Sequence, residues 1–247
     1  MTNLLALTVR ELKAFWYSPI AYVVGVCFLL LQGFILWLLA TALSAPSAEG
    51  AWPINQAFFG TFFYWISVMA MVPLITMRTF SEEKRTGTFE LLLTAPVTES
   101  AIVLAKFLGA WLSYCALWAL TILHFVVLSR YATLDWGGIF LGYAGTWLLG
   151  AVLIAVGVLT SSLTRNQIIA AVIAFVIILL LFCVGFLESF ATTPDSRKFV
   201  QYLSLLYHFQ DFSKGILDTR PLVFYGSTLT ITLFLTVRAV GSPRWRS

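Results

Sequence analysis

Charge is what this sequence has least of. Lys, Arg, Asp and Glu supply 11% of its 247 residues and 60% are hydrophobic, whereas an ordinary soluble domain is roughly one-quarter charged. The charges also cluster, leaving residues 14–48, 50–77, 107–129, 136–164, 166–187 and 221–237 without Lys, Arg, Asp or Glu. Each run is long enough to cross a bilayer, which takes about 20 apolar residues. Polar–apolar alternation is missing too. Residues 168–185 are apolar on every face, which excludes a transmembrane β-barrel and leaves helices.

Chemical equipment is equally thin. No Gly-x-x-x-x-Gly-Lys-Ser/Thr phosphate loop occurs, so the chain lacks the means to hydrolyse ATP alone. The parts for intramembrane proteolysis or proton pumping are missing as well: there is no His-Glu-x-x-His, no Gly-x-Ser-x-Gly and no paired intramembrane aspartates. The two histidines are His124, within the third run, and His208, in a later outer segment. A lone intramembrane histidine reads as a packing residue, with an ionisable functional role as the alternative. Cys27, Cys115 and Cys183 lie inside apolar runs, odd in number and without metal-ligand spacing, and read as small apolar residues. An enzyme is therefore not expected. Nor is a carrier of small ions, which needs charge near the bilayer midplane.

What is present is an all-α integral membrane pattern of six spans, at about 19–43, 57–77, 101–129, 138–161, 166–188 and 221–240, in one transmembrane domain covering 1–247. The first run is too long for a signal-peptide core and is read as a retained helix. Residues 3–17, with Leu4, Leu5, Leu7, Leu12, Phe15 and Trp16 around Arg10, Glu11 and Lys13, predict an interfacial helix. A cytoplasmic N-terminus places Arg10, Lys13, Arg78, Lys84, Arg85, Lys106, Arg165, Arg238, Arg244 and Arg246 inside, ten of the fifteen basic residues, and both termini with them. Basic cytoplasmic loops also account for the net charge of +4 and pI near 9.1, so no nucleic-acid partner is inferred. Trp16, Tyr17, Trp52, Tyr131, Trp136 and Trp245 mark the interfaces.

Residues 78–100 form the only sizeable cytoplasmic loop. Ser81 is placed to cap a short helix with Glu82 and Glu83 in its first turn, Gly87 to break it, and Thr88 to cap a second turn carrying Glu90 and Leu91 to Leu93. Pro96 stops that turn, and Thr98 with Glu99 starts the third span. Residues 196–217 predict one or two helices on or dipping into the outer leaflet, with Gly215 as their stop. Gly138 with Gly142, Ala151 with Ala155 and Ala170 with Ala174 are spaced for close helix approach.

The string MRTFSEEKRTGTFELLLTAPVTESAIVLAKFLGA, together with YHFQDFSKGILDTRPLVFYGSTLTITLFLTVRA, resembles the ABC type-2 permease family, and within it the gliding-motility-like (GldF-like) subfamily. The resemblance implies a type-2 exporter fold, with a cytoplasmic coupling helix between spans two and three and an outer helical element between spans five and six. The coupling role would fall to Glu82, Glu83, Lys84, Arg85, Thr86, Gly87, Thr88 and Glu90, and the outer element would include His208, Phe209, Phe212, Gly215 and Asp218. It implies a bacterial inner-membrane location and two copies of an ABC ATPase subunit holding the ATP and magnesium, with no cofactor in this chain. A second permease copy or related permease is implied as well, and relatives often work beside an auxiliary membrane protein with a periplasmic domain. Two functions share this fold: export of a substrate, or mechanical work on a periplasmic partner without transport.

Overall fold

The computed structural model describes residues 2–43, 54–89, 97–131, 133–190 and 193–242. The expectations for Glu90, Leu91 to Leu93, Pro96, Trp52, Arg244, Trp245 and Arg246 lie outside the described residues. Every regular element described is a helix. They run α1 (Thr2–Trp16), α2 (Pro19–Leu43), α3 (Ile54–Gly60), α4 (Phe62–Thr76), α5 (Ser81–Thr86), α6 (Glu99–Leu128), α7 (Trp136–Leu163), α8 (Gln167–Val184), a 3-10 turn (Gly185–Phe190), α9 (Pro194–Leu203), α10 (Leu205–Ser213) and α11 (Thr219–Val240). Six stretches among the described residues are long and apolar enough to cross a membrane: Pro19–Ala42, Phe62–Thr86, Glu99–Leu128, Trp136–Leu163, Gln167–Glu188 and Thr219–Val240.

The bundle is built around α7, which packs against α3, α4, α5, α6, α8, α10 and α11. Its sequence explains the position, because glycines let neighbouring helices come close. A methyl group added at Gly142 would collide with the Phe59 ring, at Gly145 with Phe212, at Gly150 with Tyr114 and at Gly157 with Thr76. Ala151, Ala155, Ala170 and Ala174 are likewise buried inside the chain, so the small-residue pairs serve intrachain packing. By contrast α2 and α8 turn rows of large apolar side chains outward, such as Val23, Leu30 and Trp37, or Ile168, Val172 and Leu180. In a bilayer those faces meet lipid or other spans.

Several polar groups inside the bundle pair with one another, as hydrocarbon favours, while the buried Gln32 amide and the Trp118 Nε1 have no hydrogen-bond partner among the described residues. Tyr64 Oη and Thr146 Oγ1 share a hydrogen bond of 2.8 Å, Thr121 Oγ1 and Tyr143 Oη one of 2.6 Å, and Trp111 Nε1 donates to Trp147 O at 2.9 Å. Aromatic rings fill the space around them. Phe209 stacks on Tyr64 at 5.3 Å, Phe59 meets Tyr143 edge-on at 5.5 Å, and Phe28 meets Trp118 edge-on at 5.0 Å.

The second crossing differs from the expected single helix over 57–77. It breaks at Thr61, whose Oγ1 accepts the Tyr64 N–H at 3.3 Å and so starts α4 afresh as its N-cap. The hydroxyl satisfies an amide that a continuous helix would have used, and helix begins again there. The turn at residues 77–80 then separates α4 from α5.

Candidate coupling site

α5 is only six residues long, too short to hold its shape alone, so its surroundings must fix it. Its N-cap position is Phe80, which has no side-chain cap, and Ser81 is the first helical residue rather than the cap expected from sequence. The cap comes from another helix. Phe80 N and Ser81 N donate to Ser161 Oγ of α7 at 3.1 and 3.2 Å, and Ser161 Oγ donates to Met77 O at 3.2 Å. Lys84 is buried and its Nζ donates to Ser162 O of α7 while lying over the Phe89 ring at 5.1 Å. Gly87, with φ +75°, ends the helix in the left-handed conformation that only glycine adopts without strain.

A second set of contacts ties α5 to α1 and α6. Lys106 of α6 is 2% exposed and reaches Glu83 Oε1 at 2.8 Å and Glu11 Oε2 at 3.3 Å, with its ammonium 5.2 Å from the centre of the Phe80 ring. Arg10 of α1 pairs with Glu11 at 2.7 Å and with Glu83 at 3.5 Å. The Glu11 hydrogen bond raises the Arg10 pKa further above its ordinary range against the opposing effect of burial, with the Glu11 and Glu83 charges adding to the rise. The guanidinium is therefore charged at any working pH. Arg78, just before α5, donates from Nη1 to Ser18 Oγ at 3.1 Å, and its Nε lies 3.9 Å from Glu82.

The residues expected to couple thus divide. Glu83 and Lys84 point into the protein, Glu82 is 43% exposed at its side chain, and Arg85, Thr86, Gly87 and Thr88 are exposed. The C-terminal turn of α5 faces outward, and Glu83, Lys84 and the N-terminal amides hold the helix in place. Sequence reasoning missed Arg10, Glu11, Ser161 and Ser162 as members of this site. A signal existed for one member: Lys106 interrupts an apolar stretch near a helix end, and a charge there needs a partner.

Of the outer-element residues, His208 and Asp218 line one cavity of about 740 Å³ together with Asp211, Lys198 and Arg220, whereas Phe209, Phe212 and Gly215 do not. His208 is buried, its Nδ1 2.8 Å from Ser204 O and its ring stacked on Phe224 at 4.2 Å. Phe209 and Phe212 are buried in the core. Gly215, at φ +77°, closes α10 in a paired turn in which Gly215 N donates to Phe212 O and Ile216 N to Asp211 O. Asp218 caps α11 by accepting the Arg220 N–H at 3.2 Å. These residues seat α10 against α7 and start the last crossing. His124 lies beside Gly33 of α2, its Nδ1 without a hydrogen bond among the described residues.

No curated protein matches the chain. Residues 50–237 match the family described as ABC-2 family transporter protein. The match spans the second to fifth crossings, α5, the outer element and the last crossing as far as residue 237. The chain therefore belongs to the ABC-2 transporter family, as a multi-pass membrane permease subunit of the kind that partners an ABC ATPase.

Proposed function

We propose that this chain is the permease of a bacterial inner-membrane ABC exporter, driven through α5 by ATP hydrolysis on a separate subunit that carries the ATP and magnesium. Both termini lie in the cytoplasm, and the working complex holds two permeases and two ATPases. The observation that carries this reading is the anchorage of α5. A six-residue helix is fixed on one side to α7 through Ser161 and Ser162 and on the other to α6 and α1 through Lys106 and Arg10, with Arg85 to Thr88 left outward. A push on that turn has no soft joint in which to dissipate; it moves the central helix. ATPase closure would thereby rock the bundle and switch access between the two faces.

The resemblance to the GldF-like subfamily favours an auxiliary membrane protein with a periplasmic domain beside this permease. A second reading, mechanical work on such a partner without transport, draws support from α9. None of its residues is buried, and Phe199, Tyr202 and Leu203 stand outward on the outer side.

The test uses the exposed turn, because reversing Glu83 would also break the Lys106 cluster. Arg85→Glu combined with Thr86→Trp is expected to abolish co-purification with the ATPase while leaving the thermal unfolding midpoint of the permease unchanged. Undiminished co-purification and ATP-dependent function would remove α5 from the coupling role.

A further inference from the structure

α9, α10 and the first turns of α11 surround a cavity of about 740 Å³, within the usual range for small-ligand sites. It lies at the end of the bundle away from α5: Gly215, just ahead of α11, sits against Gly138 at the start of α7, whereas α5 is held at the end of α7. The floor of this cavity is made of hydrogen-bond acceptors. His208 lines it and is 6% exposed. The His208 Nδ1 carries the ring hydrogen, because the Ser204 carbonyl 2.8 Å away can only accept. In the neutral ring Nε2 is then an acceptor. It makes no hydrogen bond among the described residues and, unlike Nδ1 of His124, it is not sealed inside the protein. The free edge of a ring stacked on Phe224 therefore faces the open space.

Asp211 stands three residues further along α10, on the same face of the helix. It is half-buried, and its carboxylate has neither a hydrogen bond nor an ion pair among the described residues. Asp218, the third acceptor, is partly engaged in capping α11. The two cations of the lining are at the rim. Arg220 is 83% exposed at its side chain, with Nε 4.0 Å from Asp218, and Lys198 is exposed. Charges standing in water are screened, and those in a recess much less so, so the floor sets the sign of the ligand. Between floor and rim the wall is apolar and aromatic, with Val223, Phe224, Tyr202 and Tyr207. Aromatic faces favour a cation as well.

We infer that this cavity binds a primary ammonium group carried on an apolar stem, the ammonium donating to Asp211 and to His208 Nε2 and the stem lying along Val223 and Phe224. A primary ammonium has three N–H donors, enough for both acceptors. A quaternary ammonium has none to give to Nε2, and an anionic head would meet the Asp211 carboxylate. The inference needs neither the ATPase nor a particular orientation of the chain in the membrane, so it stands or falls separately from the coupling role of α5.

The test is equilibrium dialysis of radiolabelled n-hexylammonium, n-hexyltrimethylammonium and hexanoate against the full chain in detergent, with protein-free micelles as the blank. The wild type is expected to hold hexylammonium about tenfold more tightly than either other ligand, and Asp211→Asn to lose about tenfold. His208→Phe keeps an aromatic ring against Phe224 and is expected to remove the preference over the trimethyl compound. If it does not fold, Asp211→Asn carries the test, since it breaks no ion pair among the described residues. Lys198→Gln is expected to leave hexylammonium binding unchanged. Competition by phosphatidylethanolamine and not by phosphatidylcholine identifies a lipid headgroup as the bearer of the ammonium, and competition by neither identifies a soluble amine. Competition by both alike would show that acyl chains alone fill the cavity and would overturn the inference. Equal binding of the three ligands, tightest binding of hexanoate, or hexylammonium binding indifferent to Asp211→Asn would overturn it too.

Discussion

Removing the Lys106 ammonium would leave the Glu83 and Glu11 carboxylates facing each other across a nearly closed space, with only Arg10 at its rim. Breaking a buried ion pair from one side costs about 3–5 kcal/mol, and Lys106 is 2% exposed at its side chain. Lys106→Ala should therefore lower the unfolding midpoint in detergent markedly. Arg10 is 50% exposed, and Arg10→Ala should cost about 0–1 kcal/mol, with an effect that fades in high salt. Equal losses for the two variants would mean that the cluster does not act as a buried pair with an exposed satellite. At this scale the sequence was legible wherever chemistry is local. Thr98 caps α6 by accepting the Ala101 N–H at 3.3 Å, as a Thr-Glu pair ahead of an apolar run announces. Glu83 was not legible, because its partners lie on α1 and α6, far away in the chain, and nothing in SEEKRTGT distinguishes the inward carboxylate from the outward one.

Among the elements, α5 is the one whose existence depends on others. Its boundary residues Gly87 and the first-turn acids were readable, but its cap was not, since Ser161 reaches it from about 80 positions away. Ser161→Ala leaves the Phe80 and Ser81 amides unpaired, a loss of about 1–3 kcal/mol concentrated on one short helix. Hydrogen exchange should show residues 80–86 opening faster while α7 remains protected. Unaltered protection of α5 would place its anchor elsewhere. The break at Thr61 was hidden for a related reason: apolar composition continues through residues 57–77, and a single hydroxyl decides where helix restarts.

For the whole molecule, α7 is the axis on which four of the other five crossings, α4, α6, α8 and α11, are assembled, and its glycines set how closely its neighbours approach. A leucine in place of Gly142 would occupy the space of the Phe59 ring. Gly142→Leu should prevent assembly of α3 and α10 on α7, visible as loss of a monodisperse, folded species after detergent extraction. The same substitution at Gly226, where an added methyl group meets nothing within 4 Å, should be tolerated. The six crossings were plain from the charge gaps, because hydrophobic length reports directly on membrane thickness. The central place of α7 was not plain, because composition says which helices are apolar and not which of them are surrounded.

The account turns on α5 sitting, rigidly held, on the face of the membrane where nucleotide is found. A single cysteine placed at Thr86, with Cys27, Cys115 and Cys183 replaced by alanine, tests this in vesicles of known orientation. The account predicts labelling by a membrane-impermeant thiol reagent in inside-out vesicles alone, with protection when the ATPase is bound. Labelling from the opposite face in right-side-out vesicles would contradict it.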